Sequence, residues 1–164
     1  MEKKYYTFKR GMVIKVDFSP QVGSEIRGHH FAIIISKHDR FNNELLTVVP
    51  LTSKEHKFHL DLGDEIQKTI YNKIENALQI IMNKSNVTSL DLIECNKISN
   101  YYMSLNSHSF AKIHQITTIS KKRILKPINK YDPIRTIKVS NQIMDLIDQK
   151  IVELFTKIDL APKE

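Results

Sequence analysis

Short apolar runs dominate the first sixty residues, and apolar positions at helical spacing follow them. Runs rich in Val, Ile and Phe at 12–18, 31–36 and 45–51 predict three β-strands. The first run alternates with polar residues, whereas the other two are nearly continuous, as expected for strands that are covered on both sides. Clean alternation at 57–62 predicts a fourth strand, and the run at 109–119 predicts a fifth.

Three segments show the spacing or the capping residues of helices. Asp64 is a candidate N-cap for a helix over 65–82, and Ser140 is a candidate N-cap for a closing helix over 140–158. Residues 89–101 fit either a weaker helix or an irregular excursion that is packed by its leucines and isoleucine. The apolar face of the first helix consists of Ile66, Ile70, Ile74, Ala77 and Ile81. The apolar face of the closing helix consists of Ile143, Leu146, Ile147, Leu154, Phe155 and Ile158.

These elements predict one mainly β domain with added helices over residues 1–164. Five strands and a terminal helix favour a small antiparallel barrel or half-barrel, with strands in 10–62 and 109–120. Residues 63–108 then form a helical insertion into one barrel loop, and residues 1–9 form a short basic lead-in.

Composition narrows the partners that such a domain would have. The net charge of +7 favours a polyanion, most often nucleic acid, although a basic protein without a charged ligand remains an alternative. Cys95 is the only cysteine, so it is expected to be a packed thiol, and a cytoplasmic location fits. No apolar run approaches the roughly 20 residues that cross a bilayer, so no membrane association is expected.

The loop between the first two strands is the most polar stretch of this region. Pro20, Gly23 and Gly28 mark its turns. A polar loop between rigid strands is a common place for a functional site. Its polar side chains are Gln21, Ser24, Glu25, Arg27, His29 and His30.

The residues around this loop resemble the MazF/PemK toxins of bacterial type II toxin–antitoxin systems. The family's V-D-F-x-P and G-S-E motifs match residues 16–20 and 23–25, in register with Gly11, Gly28, Ala32 and Ser36. A strand that ends in Thr52 followed by Ser53 and the stretch Q-I-T-T-I-S-K-K-R at 115–123 match two further signatures. The similarity covers about 10–62 and 109–157.

The resemblance implies an SH3-like barrel that forms a homodimer, is bound by a separate antitoxin protein, and acts as a metal-independent endoribonuclease. On that basis we expect sequence-selective cleavage of single-stranded RNA by attack of the 2′-hydroxyl. A catalytically silent binding module is the alternative, because the gyrase poisons of the CcdB type have a similar fold without enzymatic activity.

Two positions depart from the family pattern. His30 and Phe31 stand where the family has its catalytic Arg followed by Pro, and Met12 stands where it has Asp. An arginine there could bind phosphate through two fixed hydrogen bonds, which a histidine cannot reproduce. A histidine titrates near pH ~6.5, however, so it can donate or accept a proton.

We therefore predict His30, Thr52 and Arg27 as the catalytic residues. In this hypothesis His30 transfers a proton, Thr52 positions the phosphate and Arg27 replaces the missing cation. The alternatives are that His30 is a bystander in an inactive protein and that Thr52 only ends a strand. The predicted RNA-binding residues are Gln21, Ser24, Glu25, His29, Ser53 and Lys54. For Gln21, Ser24 and Glu25, side-chain bonds that only hold the loop are an equally good interpretation.

No cofactor and no metal are expected. His56, His59, His108 and His114 lack zinc-ligand spacing, and the chain has no phosphate-binding glycine motif. The basic run 121–130 fits an RNA-tracking surface or a solvated turn. Tyr101, Tyr102 and Phe110 are expected to pack in the core, with base stacking as the alternative.

Overall fold

The computed structural model describes residues 5–20, 22–84 and 86–157. Its strands are β1 (Val13–Asp17), β2 (His29–Ile34), β3 (Leu45–Thr52), β4 (Leu60–Asp61), β5 (Phe110–Ala111) and β6 (Thr117–Ser120). Its helices are α1 (Glu65–Met82), α2 (Ser89–Met103) and α3 (Asn141–Phe155), with 3₁₀ turns at Ile113–Gln115 and Lys121–Arg123. None of the helices within the described ranges is long and apolar enough to cross a membrane.

Strand β3 organises an antiparallel sheet. One edge of β3 pairs with β2, while β6 and β5 pair with its first and second halves in turn. Strands β1 and β4 extend the sheet on either side, giving the order β1-β2-β3-β5-β4. Strand β1 contacts the segment after β6 through an isolated bridge between Val16 and Ile124, but no strand pairing closes the sheet among the described residues, so the predicted barrel is an open one.

The two faces of the sheet bury two separate cores. On one face, Ile14 and Val16 join the core that lies under the loop after β1, which we call the loop-side core. On the other face, Val13 joins the residues that α1, α2 and α3 bury, which we call the helix-side core. The alternation predicted for β1 and the two-sided covering predicted for β2 and β3 are therefore confirmed.

The two later strands are shorter than predicted. The fourth strand is only Leu60–Asp61, because the chain before it makes a turn in which the N–H of His59 donates to the carbonyl of His56 at 2.9 Å. The predicted strand 109–119 is divided into β5 and β6. Leu51 pairs with Ala111 and Val48 pairs with Thr117. Three residues along β3 therefore correspond to six residues along the segment that contains β5 and β6. The 3₁₀ turn Ile113–Gln115 takes up the extra residues.

The helices agree with the sequence pattern, with one correction. Of the two interpretations left open for residues 89–101, the structure supports the helix, which is α2. Asp64 stands at the N-cap position of α1, but its carboxylate pairs with Lys68 at 2.9 Å instead of capping the helix. Ser140 does cap α3, because its Oγ accepts the N–H of Ile143 at 3.2 Å.

The closing helix buries a narrower face than predicted. Ile143 and Ile147 are buried, whereas Phe155 is 58% exposed and Leu146 is 39% exposed. Ile158 lies outside the described residues.

Cys95 is fully buried in the helix-side core, and the loss of solvent raises the pKa of its thiol. Because a raised pKa disfavours the reactive thiolate, Cys95 is the packed thiol that was expected.

Candidate functional site

A cavity of about 420 Å³ opens where the start of β2 and the end of β3 face the insertion. We call it the strand-end cavity. The sheet contributes Lys15, His29, His30, Phe31, Leu51, Thr52, Ser53 and Lys54 to its lining. The insertion and the residue that follows it contribute Ile66, Gln67, Ile70, Tyr101, Leu105, Asn106, His108 and Ser109. The cavity therefore collects His29, His30, Thr52, Ser53 and Lys54 from among the predicted site residues.

His29 begins β2 opposite Asp17 of β1. Its Nε2 lies 3.7 Å from Asp17 Oδ2, and its side chain is 56% exposed. The pKa of Asp17 is lowered, chiefly because its carboxylate accepts the backbone N–H of Ser19 and also because of the nearby His29. Asp17 is thus an anion that orients His29 without itself bordering the cavity.

His30 follows on β2, and successive strand side chains point to opposite faces of a sheet. Its ring accordingly lies 6.4 Å from that of Phe18, a residue of the loop-side core. Its Nε2 lies 2.9 Å from the carbonyl oxygen of Arg27. Because a carbonyl only accepts, the neutral imidazole carries its proton on Nε2. Nδ1 has no hydrogen-bond partner within the described ranges, so it is the nitrogen that can accept a proton.

Thr52 ends β3 and begins a tight turn. Its Oγ1 accepts the backbone N–H of Lys54 at 3.2 Å, which fixes the hydroxyl while leaving its proton free to be donated. Ser53 and Lys54 follow with exposed side chains. This arrangement suits a hydroxyl that donates a hydrogen bond to an anionic oxygen.

The predicted cation Arg27 does not enter the cavity. Its side chain is exposed, and its backbone carbonyl contacts Nε2 of His30. Two lysines border the cavity from the sheet side, the predicted Lys54 and Lys15 of β1. The Lys15 ammonium donates to the hydroxyl of Tyr101 and lies 4.8 Å from the centre of that ring and 5.9 Å from the centre of the Phe31 ring.

His108 is a third imidazole at the cavity, and its sequence spacing was informative only against a zinc site. Its Nε2 lies 2.6 Å from Asp61 Oδ1, and the pKa of Asp61 is lowered, first by the N–H of Gly63 and then by His108. Thr52 pairs with Phe110, so the residues just before β5 lie beside those just after β3. Only this long-range pairing brings His108 to the cavity, and no local motif indicates it.

Ser24 and Glu25 lie in a different pocket of about 490 Å³, which the loop forms against residues 114–117. Glu25 Oε2 accepts the N–H of Val22 at 3.4 Å, and the Ser24 carbonyl accepts from Gln115 Nε2 at 3.2 Å. The Glu25 bond supports the interpretation in which its side chain holds the loop, whereas the bond at Ser24 is made by the backbone carbonyl. Gln21 lies outside the described residues.

Three of the remaining histidines form a cluster after β3. The ring of His59 lies 5.1 Å from that of His56 and stacks on that of His114 at 5.3 Å. The pKa of His114 is lowered by desolvation and by the neighbouring His59, Lys112 and His56. Within the described part of the chain, no group of three or more His, Cys, Asp or Glu residues has an arrangement that could hold a metal ion.

The basic run 121–130 is largely occupied by contacts within the protein. Lys121 is buried and pairs with Asp39 at 2.7 Å, and Lys122 pairs with Glu44 at 3.2 Å. Arg123 donates to the carbonyl oxygens of Asp17 and Ser19, while Lys130 pairs with Asp91 at 2.6 Å. The structure therefore favours a structural role for most of this run over an RNA-tracking surface.

The three aromatic residues also have defined positions. Tyr102 is 1% exposed, and its hydroxyl donates to Asp132 at 2.7 Å, while Phe110 is 9% exposed. Both are core residues, as expected. Tyr101 instead borders the strand-end cavity.

Comparison with known proteins agrees with the sequence resemblance. Residues 9–83 match the family described as PemK-like, MazF-like toxin of type II toxin-antitoxin system. No curated protein sequence matches the chain. Among solved structures, the crystal structure of MazF (Form-I) from Deinococcus radiodurans is similar in fold, with a TM-score of 0.51 at 12% identity. The match covers 92% of this chain and 97% of that one.

Proposed function

We propose that this chain, which belongs to the PemK-like, MazF-like toxin family over residues 9–83, is the endoribonuclease toxin of a toxin–antitoxin pair. It cleaves single-stranded RNA at short sequences and needs no metal ion. The family match supports the toxin class, and the side chains around the strand-end cavity support the chemistry.

One observation carries this proposal: His30 and Thr52 both border the strand-end cavity, His30 with a nitrogen that can accept a proton and Thr52 with a hydroxyl that can donate a hydrogen bond. The Arg27 carbonyl holds Nε2 of His30, which leaves Nδ1 free to accept a proton. The Thr52 hydroxyl accepts from Lys54 and keeps its own proton for donation. Ala32 pairs with Pro50, and His30 and Thr52 each lie two residues beyond that pair on their own strands.

In the reaction, His30 Nδ1 takes the proton of the ribose 2′-hydroxyl as its oxygen attacks phosphorus. The new P–O2′ bond forms as the P–O5′ bond breaks, which gives a 2′,3′-cyclic phosphate. Thr52 and the neighbouring ammonium groups stabilise the charge on the phosphoryl oxygens. The departing 5′-oxygen takes a proton from the imidazolium of His108, which Asp61 holds at the same cavity.

This role implies partners and a place of action. A type II toxin is paired with an antitoxin protein, and the net charge of +7 suits an acidic antitoxin segment that competes with RNA. We further propose that the toxin is a homodimer that acts in the cytoplasm, where its RNA targets are.

The direct test is to incubate the purified protein with a mixed single-stranded RNA in EDTA. Cleavage is expected to persist and to leave a cyclic phosphate and a free 5′-hydroxyl, since the proposed groups are all side chains. Loss of cleavage on chelation and its return with magnesium would disprove the metal-free mechanism. A protein that cuts no RNA under any condition would instead be a binding module.

A further inference from the structure

The side chains lining the strand-end cavity that can carry a charge near neutral pH are all basic. The lining contains two lysines and three histidines but no aspartate or glutamate. The carboxylates that orient His29 and His108 stand behind these rings and do not border the cavity. A cavity with this lining attracts an anion.

We infer that the strand-end cavity is a binding pocket for one nucleotide of the RNA strand, with its phosphate at Lys15 and its base against Phe31 and Tyr101. This inference rests on the proposed function and assigns a substrate subsite to it. Helices α1 and α2 build one wall of the pocket, so the insertion has a direct role in RNA recognition.

Lys15 is suited to the phosphate. An ammonium has three N–H donors, and the Tyr101 hydroxyl occupies one of them. No carboxylate pairs with Lys15 in the part of the chain that the structure describes. The other two donors are therefore available to a phosphate oxygen, and Lys54 borders the same space.

The deeper part of the cavity is suited to a base. Leu51, Ile66, Ile70 and Leu105 give it apolar walls, and Phe31 and Tyr101 supply aromatic faces. Every base can stack on such a face, which contributes about 1–3 kcal/mol per base in single-strand binding proteins. The volume of about 420 Å³ is within the range of small-ligand pockets.

Gln67 adds a polar group at this depth. It is 5% exposed, and its Nε2 donates to Tyr102 O at 2.7 Å and to Tyr71 Oη at 3.0 Å. Its Oε1 has no hydrogen-bond partner within the described ranges and can accept an N–H from the base. Each RNA base carries at least one N–H group that can donate to this oxygen, so Gln67 can hydrogen-bond the base whichever it is.

The experiment measures binding of a 2′-O-methyl RNA oligonucleotide, which cannot be cleaved by 2′-hydroxyl attack, by fluorescence anisotropy. Lys15→Met is expected to weaken binding by about tenfold or more, because a hydrogen-bonded charge pair is lost. The matched control, Lys73→Met, removes the same charge from the exposed face of α1 and is expected to change affinity less than about twofold. Equal losses in the two variants would overturn the inference, because they would show only a general effect of charge.

Two further arms identify what binds. A nucleoside 5′-monophosphate is expected to compete with the oligonucleotide, and inorganic phosphate alone is expected to compete much less. Competition by phosphate equal to that by the nucleotide would show an anion site without a base pocket. Asn106→Trp, which adds bulk at an exposed residue of the rim, is expected to block the nucleotide while the circular dichroism of the folded protein is retained.

The result is separable from that of the cleavage test. If His30 does not act as a base, cleavage fails, but the uncleavable oligonucleotide is still expected to bind through Lys15. If the protein cleaves RNA but its RNA binding is insensitive to both Lys15→Met and Asn106→Trp, the nucleotide pocket is disproved while the proposed ribonuclease activity stands.

Discussion

At residue 30, the sequence resemblance aligns His30 with an arginine of the family pattern. An arginine supplies a permanent charge and a fixed pair of donors, whereas a histidine supplies a proton acceptor and donor near neutral pH. Lys15 of β1 lies at the strand-end cavity, and the Arg27 carbonyl contacts Nε2 of His30. In the proposed mechanism Lys15 therefore supplies the permanent charge, and His30 supplies the proton acceptor.

We predict that His30→Ala lowers the rate of RNA cleavage by about 10²–10⁴-fold, the usual range for one acid–base group. Affinity for RNA is expected to change little, because lysines and arginines elsewhere supply most of it. His30→Arg is expected to retain cleavage with a flatter pH profile than wild type, because a guanidinium stays charged across the measured pH range. Single-turnover rates from pH 5 to pH 8.5 measure these effects.

Arg27→Ala is the matched control for this series. The substitution removes an exposed guanidinium but keeps the backbone carbonyl that holds His30. Cleavage is therefore expected to remain within a few-fold of wild type. Abolished cleavage in Arg27→Ala together with an unchanged rate in His30→Ala would assign the chemistry to the arginine.

At the scale of single elements, α2 depends on a capping box. Thr88 Oγ1 accepts the N–H of Asp91 at 3.2 Å, and Asp91 Oδ2 accepts the N–H of Thr88 at 3.4 Å. Asp91 also binds Lys130 and Tyr131, and these contacts hold the pKa of its carboxyl far below the ordinary value. The start of α2 is thereby fixed to the chain between β6 and α3.

We predict that Thr88→Ala lowers the free energy of unfolding by about 1 kcal/mol, the usual cost of losing an N-cap. Because α2 carries Tyr101, binding of the uncleavable oligonucleotide is expected to weaken as well. Ser99→Ala, which removes a hydroxyl from within the same helix, is the control and is expected to have a smaller effect. Urea unfolding curves measure the stability of both variants, and equal losses in Thr88→Ala and Ser99→Ala would show that the cap has no special role.

The histidine cluster gives a second prediction at this scale. The pKa of His114 is lower in the folded protein than its ordinary value of 6.5. The unfolded chain therefore binds more protons than the folded protein once the pH falls below about 6.5. The contribution of His114 to the free energy of unfolding is complete above that pH and is lost as the pH decreases. His56, His59 and Lys112 face the ring and add to the effect.

We predict that His114→Gln reduces the loss of stability between pH 7.5 and pH 5.5, because the cluster then holds one fewer group that resists protonation. His38→Gln, at an exposed residue outside the cluster, is expected to leave the loss unchanged. Urea midpoints at the two pH values measure the difference. A pH dependence of His114→Gln that equals that of wild type would contradict the assignment.

At the scale of the whole molecule, the insertion leaves apolar side chains on the surface. Ile80 is 60% exposed, Met82 75%, Leu90 60%, Ile93 63% and Met103 65%. A helical hairpin with this much exposed apolar surface is suited to contact with another protein chain. The insertion therefore has one face toward the sheet and another available for assembly.

We predict that the protein sediments as a homodimer at micromolar concentration, since pairing would cover exposed apolar surface. Ile93→Lys is expected to shift the equilibrium toward monomer, because a buried charge opposes association. Phe155→Lys on α3 is the control, as Phe155 is 58% exposed. A wild-type monomer would contradict the prediction, and a dimer that only Phe155→Lys disrupts would move the interface to α3.

The sequence by itself determined the elements that depend on local patterns. Periodicity indicated β1, β2, β3, α1 and α3, since each buries side chains at a spacing set by its own backbone geometry. The Ser140 cap follows from a local side-chain bond. The loop motifs and the threonine that ends β3 were enough to indicate the family and to predict His30 and Thr52 as catalytic residues, a prediction that awaits the cleavage experiments.

Tertiary structure decided what depends on contacts between distant residues. Lys15 contacts Tyr101 from 86 residues away, and Asp61 contacts His108 from 47 residues away. The same pairing of distant strands buries Lys121 against Asp39 and divides the predicted fifth strand in two. Local periodicity carries no information about such pairs, because it describes how a segment buries its own face and not which segment covers it. For that reason Lys15 could be identified as a cation of the cavity only once the sheet and the insertion were seen together.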